Sequence, residues 1–66
     1  MNDKKYLSPS ELAQYLSISI QTVYLWTSTK QIPFLKLSRL IRFDKDEIDL
    51  WMRTKKVDFT IKALTR

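Results

Sequence analysis

Residues 8–26, SPSELAQYLSISIQTVYLW, decide the fold, because they contain the start signals of two short helices and the break between them. Ser8 stands at an N-cap position, Pro9 at the first helical position and Glu11 at the third, which is the order of a capping box. Apolar residues then recur on one face, so the segment predicts a first helix over about residues 9–16.

A three-residue break, Ser17–Ser19, separates this helix from the next. Ser19 is a good N-cap, and a second helix is predicted over about residues 20–29. Val23 and Trp26 stand three positions apart and are expected to point into the core, as is the isoleucine of the break. Two short helices around a tight, serine-rich break predict a helix-turn-helix motif.

A β-hairpin is predicted after Pro33, which stops any helix. Two short runs of β-forming residues, Phe34–Leu37 and Leu40–Phe43, flank the polar pair Ser38-Arg39. The side chains expected on the inner face of the hairpin are Leu35, Leu37, Ile41 and Phe43. Those expected to face outward are Lys36 and Arg42, with Arg39 at the tip. Because the turn contains neither glycine nor asparagine, we expect a longer or irregular loop.

A third helix is predicted over about residues 45–55, with Asp44 as N-cap. Its apolar stripe consists of Ile48, Trp51 and Met52. The fold class is therefore mainly α with a small β-hairpin, a winged helix-turn-helix in the order α-α-β-β-α. We divide the chain into a domain over residues 1–56 and a tail over residues 57–66. The tail has apolar residues spaced for either a strand or a helix, and it is a possible interaction segment.

The composition excludes several classes of function. The chain has 66 residues without cysteine, histidine or glycine, so disulfides, the usual zinc ligands and a glycine-rich phosphate loop are excluded. No nucleophile–base pair is present, and we expect no enzyme activity, cofactor or metal. The acidic residues Asp44, Asp46, Glu47 and Asp49 are explained by helix capping and the helix dipole. No apolar run approaches a membrane span, the start of the chain is too polar for a signal peptide, and a cytoplasmic location is expected.

The charge balance favours a polyanionic partner, since 12 Lys and Arg against 7 Asp and Glu give a net charge of +5. The ordered combination Ser-x-x-Thr-Val-Tyr-x-Trp, then Ile-Pro, then Lys-Leu-x-Arg-x-x-Arg-Phe resembles the excisionase-type helix-turn-helix family, a relative of the mercury-resistance-type regulators. The resemblance covers about residues 6–54. The residues that carry it are Leu7, Ser8, Glu11, Leu12, Ala13, Leu16, Ser19, Thr22, Val23, Tyr24, Trp26, Ile32, Pro33, Lys36, Leu37, Arg39, Arg42, Phe43, Ile48 and Trp51.

This resemblance implies sequence-selective binding of double-stranded DNA by two elements. The second helix would enter a major groove, and the wing would contact the neighbouring minor groove or backbone. Relatives act as recombination directionality factors in phages and other mobile elements, or as small transcription regulators. The family often has glycine before the Ile-Pro turn and in the wing. Here Lys30 and Ser38 stand near those places, so the conformation of the wing tip is left open.

On the second helix, Gln21 is the best candidate for reading a base, because glutamine can donate and accept hydrogen bonds at an adenine edge. Ser19 and Thr22 suit a phosphate at the helix N-terminus, although Ser19 also serves as the cap and Thr22 also suits packing. Tyr24 suits a phosphate and Leu25 a thymine methyl group, with packing against the wing or third helix as the alternative. Farther along, Ser28 and Lys30 are positioned to reach the backbone.

In the wing, Arg39 is the candidate for a narrow minor groove, flanked by Lys36 and Arg42. Trp26 and Trp51 are expected in the core rather than as base-stacking platforms. The DNA hypothesis requires the second helix and the wing tip to emerge on the same side of the molecule. The alternative is a protein-interaction module with an incidental basic face. A lone domain reads only a few base pairs, so an integrase or recombinase, or another copy on an adjacent site, is expected as a further partner through the tail.

Overall fold

The computed structural model describes residues 5–57, and it forms a winged helix-turn-helix. The elements are β1 Tyr6–Leu7, α1 Pro9–Leu16, α2 Ile20–Ser28, β2 Leu35–Leu37, β3 Leu40–Asp44 and α3 Lys45–Thr54. The predicted fold class and the three helices are confirmed. Strand β1 was not predicted, because two residues are too few to show an alternating pattern. The predicted tail lies outside the described residues apart from Val57, which is exposed.

Each helix begins at the predicted cap. At α1, the Glu11 amide donates to Ser8 Oγ at 3.2 Å and the Ser8 amide donates to Glu11 Oε1 at 2.9 Å, which completes the capping box. At α2, the Thr22 amide donates to Ser19 Oγ at 3.2 Å. At α3, Asp44 accepts from two first-turn amides. Local hydrogen bonding therefore sets the start of all three helices.

The core is small and wholly apolar. Its buried side chains are Leu7, Leu12, Ala13, Val23, Ile32, Phe43 and Ile48. They come from all three helices, from β1 and β3, and from the segment after α2, so every element except β2 contributes. Trp26 and Trp51 pack at the rim of this cluster, only partly buried. They are packing residues, as predicted, but the domain is too small to enclose two indole rings.

The sheet has the order β1-β3-β2, and both pairings are antiparallel. In the wing, Leu37 pairs with Leu40, which leaves only Ser38 and Arg39 in the loop. The expected longer or irregular loop is therefore wrong. The positive φ falls on the first turn residue alone, at 60° for Ser38, which is the φ pattern of a type II′ turn. Serine takes the place that glycine usually occupies in this turn.

The two faces of the wing also differ from the prediction. Residues directly opposite in an antiparallel pair share a face, so Leu35 lies beside Arg42, and Lys36 lies beside Ile41. The predicted inner face placed odd-numbered residues of both strands together, which requires an odd number of loop residues. Because the loop has two residues, Leu35 and Leu37 lie on one face, and Ile41 and Phe43 lie on the other. A change of register by one residue always moves the side chains of one strand to the opposite face.

The inner face of the wing contains Phe43, which is fully buried, and the half-buried Ile41, with the exposed Lys36 opposite. The outer face contains Leu35, Leu37, Leu40 and Arg42. Leu37 and Leu40 are 53% and 54% exposed, so the prediction that Leu35 and Leu37 face the core is wrong.

Within residues 5–57 of this glycine-free chain, three residues adopt positive φ: Ser17 at 58°, Lys30 at 57° and Ser38 at 60°. Ser17 ends α1, and Lys30 follows α2. Lys30 and Ser38, which stand near the two places where the family often has glycine, therefore both adopt a left-handed backbone. A left-handed conformation costs a non-glycine residue about 1–2 kcal/mol, so the surrounding structure must stabilise each turn.

No linker separates the wing from the third helix. Strand β3 ends at Asp44 and α3 begins at Lys45. Asp44 also pairs with Tyr6 of β1, and the Lys45 amide donates to the Lys5 carbonyl at 2.8 Å. The junction is thus held by the N-terminal strand as well as by the N-cap.

Candidate nucleic-acid interface

One face of α2 packs against the core, and this packing leaves the opposite, outer face exposed to solvent. Val23 is fully buried, and Thr27 Oγ1 donates to the Val23 carbonyl at 2.8 Å. Trp26 contacts Trp51 of α3, with ring centroids 5.7 Å apart and planes tilted by 60°. The burial of Val23 and the contact between the two tryptophans fix the rotation of α2 about its axis, whereas the Thr27 hydrogen bond lies within the helix.

Because of this rotation, the side chains predicted to read DNA lie on the surface. Gln21 and Ser28 are exposed, and Tyr24 and Leu25 are 53% and 56% exposed. Neither Tyr24 nor Leu25 is therefore buried, while contact of either with DNA stays a prediction. The outward face of α2 has hydrogen-bonding and apolar groups but no charge between Ile20 and Ser28.

The N-terminus of α2 has a hydrogen-bonded cap and also backbone N–H groups without intrahelical acceptors. Ser19 Oγ lies 3.0 Å from Thr22 Oγ1 and also accepts the Thr22 amide. Ser19 is exposed and Thr22 is half-buried. A helix leaves its first amides without intrahelical acceptors, so this end retains donors for an anion even though its two hydroxyls are paired.

The C-terminal end of α2 is closed by its own side chains. Ser28 Oγ and Thr29 Oγ1 both donate to the Leu25 carbonyl, at 3.0 Å and 2.7 Å. Gln31 Nε2 donates to Thr29 Oγ1 at 2.8 Å. Lys30 follows, exposed and at positive φ. Of this group, only the lysine brings a charge to the end of the helix.

The three cations of the wing do not share a face. Arg39 is exposed at the second position of the two-residue turn, as predicted for a tip residue. Lys36 and Arg42 lie on opposite faces, because Lys36 is paired with Ile41 and Arg42 with Leu35. The prediction that Lys36 and Arg42 lie on the same face is wrong, because a loop of two residues places even-numbered residues of one strand opposite odd-numbered residues of the other. Arg42 is half-buried, and its Nη1 donates to the Ile41 carbonyl at 2.8 Å.

The sequence interpretation missed the exposed leucines of the wing, which flank the tip on the outer face together with Arg42. The length of the loop was the signal that could have found them. With two loop residues between Leu37 and Leu40, these two side chains must share a face.

The charges of the chain are segregated along the sequence. Between Leu12 and Phe43 there is no acidic residue, and the four cations are Lys30, Lys36, Arg39 and Arg42. This stretch includes α2 and the wing up to Phe43. Both elements predicted to meet DNA are therefore free of acidic side chains of their own.

Four of the seven acidic residues of the chain lie instead within residues 44–49, and the side chains of Asp44 and Asp49 have partners. Asp44 caps the helix and lies 3.7 Å from Lys5 Nζ. Asp49 accepts from the Tyr15 hydroxyl at 2.6 Å and lies 3.6 Å from Lys45 Nζ. Hydrogen bonding with Tyr15, and then the charge of Asp49, raise the pKa of Lys45 above its ordinary value. The hydrogen bond from Tyr15 to Asp49 links α1 to α3, and within residues 5–57 no group of carboxylates is arranged to hold a metal ion.

A family model described as a helix-turn-helix domain matches residues 6–56. The chain belongs to this helix-turn-helix family. The family is excisionase-like, in agreement with the resemblance carried by the sequence motifs. Membership in it indicates DNA as the general partner of the chain. No curated protein and no solved structure matches the chain. In the described part of the chain, no helix is long and apolar enough to cross a membrane.

Proposed function

We propose that this helix-turn-helix protein binds double-stranded DNA sequence-selectively, with α2 in a major groove and the wing at the adjacent minor groove and backbone. The observation that carries the proposal is the exposed, uncharged outer face of α2 within a stretch that lacks acidic residues. A neutral face with hydrogen-bonding and apolar groups suits base edges, where glutamine pairs with adenine and an apolar side chain meets a thymine methyl group.

On α2, Gln21 takes the base-reading role, since its side chain can pair with an adenine edge. Leu25 meets a thymine methyl group, and Tyr24 binds a phosphate oxygen through its hydroxyl. Ser28 binds a phosphate once its hydroxyl turns away from the Leu25 carbonyl, to which it donates in the free protein. The free amides near Ser19 and Thr22 bind a phosphate at the helix N-terminus, and Lys30 binds one at the other end.

In the wing, Arg39 enters the minor groove, where the negative potential is strongest if the groove is narrow. Lys36 and Arg42 project from opposite faces of the hairpin. A hairpin seated in a groove has one phosphate strand on each side, so these two cations contact opposite backbones. The placement of Lys36 and Arg42 on opposite faces, rather than in one basic cluster, supports contacts with both backbones.

The biological role that we propose is that of an excisionase-like recombination directionality factor or a small transcription regulator. One domain of this size contacts too few base pairs for a unique genomic site. It therefore acts with another copy on an adjacent site, or with an integrase or recombinase on the same DNA. An integrase gene beside the gene for this chain would favour the recombination role.

The test is a binding titration with fluorescently labelled duplex DNA at several salt concentrations. About four to six phosphate contacts give a slope of log affinity against log salt of roughly −0.9 per contact. Selection from a random duplex pool then tests whether a preferred sequence emerges. Absence of any salt-dependent binding would contradict the proposal and favour a protein-interaction module.

A further inference from the structure

An apolar groove of about 320 Å³ opens at the rim of the core, and none of the residues assigned to DNA lines it. It is lined by Leu16, Ile18, Trp26, Trp51, Met52 and Lys55. The five apolar side chains are only partly buried, and within residues 5–57 no segment covers them. The groove thus lies where α1, the turn and α2 meet the last turns of α3.

The walls of the groove select an apolar occupant. The Trp51 indole N–H already donates to the Gln31 carbonyl at 3.1 Å, so it offers no free donor. The one charged lining residue, Lys55, lies at the edge with its Nζ 5.6 Å from the centre of the Trp51 ring. Four of the remaining lining residues, Leu16, Ile18, Met52 and Trp26, present mainly hydrocarbon and aromatic surface.

The chain itself supplies an occupant of this kind close by. The described residues end at Val57, two positions after Lys55, and the sequence continues as DFTIKALTR over residues 58–66. Three of these nine residues are large and apolar: Phe59, Ile61 and Leu64. Nine extended residues span up to about 30 Å, whereas doubling back from Lys55 to Trp51 requires about one helical turn, roughly 5 Å.

We infer that the groove is the docking site for the chain's own C-terminal segment, residues 58–66, through its apolar side chains. A segment tethered two residues from the groove has an effective concentration in the millimolar range, which a second copy in dilute solution does not match. Docking extends an otherwise small core and covers both tryptophans. This inference does not depend on DNA binding.

The first experiment uses tryptophan emission, because the only two tryptophans of the chain line the groove. The full chain is compared with its Phe59→Ser/Leu64→Ser variant, and with Thr60→Ala/Lys62→Ala as the matched control in the same segment. The apolar variant is expected to show red-shifted emission and a higher acrylamide quenching constant, while the control matches the original chain. Circular dichroism verifies that the helices remain.

Two results would overturn the inference. One is identical emission and quenching in all three proteins. The other is protection of the tryptophans that grows with protein concentration, which would assign the groove to a second copy.

A second experiment keeps Phe59 and Ile61 in place, so it does not depend on the folding of the apolar variant. The chain has no cysteine, which allows Met52→Cys/Leu64→Cys to be compared with Arg53→Cys/Leu64→Cys. The two pairs have nearly equal tethers, but Met52 lines the groove and Arg53 is exposed outside its lining. Docking gives faster intramolecular disulfide formation for the Met52 pair. Equal rates, or a disulfide that forms only between molecules, would contradict it.

Discussion

Helix α2 and the wing present different chemistry to the solvent. Helix α2 has no charged residue, and its rotation is fixed by the buried Val23 and by the tryptophan contact with α3. The wing has three cations, and β2 has no buried residue. We interpret the difference as a division of labour, in which α2 supplies discrimination between sequences and the wing supplies charge-dependent affinity. Differences in stability, base preference and salt dependence between variants of the two regions test this comparison.

The largest expected effect concerns the support of the two regions. Val23→Ala removes two methyl groups from a fully buried site and is expected to lower the free energy of unfolding by about 2–3 kcal/mol. Leu37→Ala, on the exposed side of the wing, is expected to lower it by less than about 0.5 kcal/mol. Urea denaturation measures both. A similar loss in the two variants would mean that the wing tip is as well supported as α2.

The second prediction concerns discrimination by α2. Gln21→Ala is expected to weaken binding to the preferred duplex by about 1–3 kcal/mol and to relax the preference at one base pair. Its salt dependence should stay unchanged, because no charge is removed. Gln14→Ala, at an exposed glutamine of α1, is the control and should retain the preference. Equal weakening on all sequences would remove Gln21 from the base-reading role.

The third prediction concerns charge in the wing. Arg39→Ala is expected to weaken binding to all duplexes alike and to reduce the steepness of the salt dependence by about 0.9. Arg53→Ala removes the same charge from α3 and should leave the slope nearly unchanged. If the two variants change the slope equally, binding depends only on the net charge of the protein, and a specific contact of Arg39 with DNA is excluded.

The smallest effect concerns the wing turn. Ser38→Gly relieves a left-handed backbone but makes the unfolded chain more flexible, so a net gain in stability of about 0.5–1 kcal/mol is expected. The same replacement at Ser10, in α1, is expected to lower stability by about 0.5 kcal/mol. Thermal unfolding of both variants gives the signs. A loss at Ser38 would show that the serine side chain stabilises the turn.

The helices were predictable because their signals are local. Serine, proline and glutamate at fixed offsets set the start of α1, and the spacing of Val23 and Trp26 gave the rotation of α2. Exposure of Gln21 and Tyr24 followed from that rotation. The candidate residues on α2 were therefore placed correctly on the surface, while their contacts with DNA stay predictions.

The wing was less predictable because its faces depend on one integer, the number of loop residues. The absence of glycine suggested a long loop, yet Ser38 accepts the positive φ and the loop has two residues. That single difference exchanged Leu35 and Leu37 with Lys36 between the two faces. Whether Arg39 and the outer face of α2 emerge on the same side of the molecule stays a prediction.

The direct junction of β3 and α3 at Asp44 has a geometric consequence for any assembly on DNA. With no flexible residue between them, the direction of the third helix is set as soon as the hairpin is seated on a duplex. A protein that binds α3 would then be presented at a fixed rotational phase around the double helix. Neighbouring sites spaced by whole helical turns would align such partners along one side of the DNA, and half-turn spacings would place them on opposite sides.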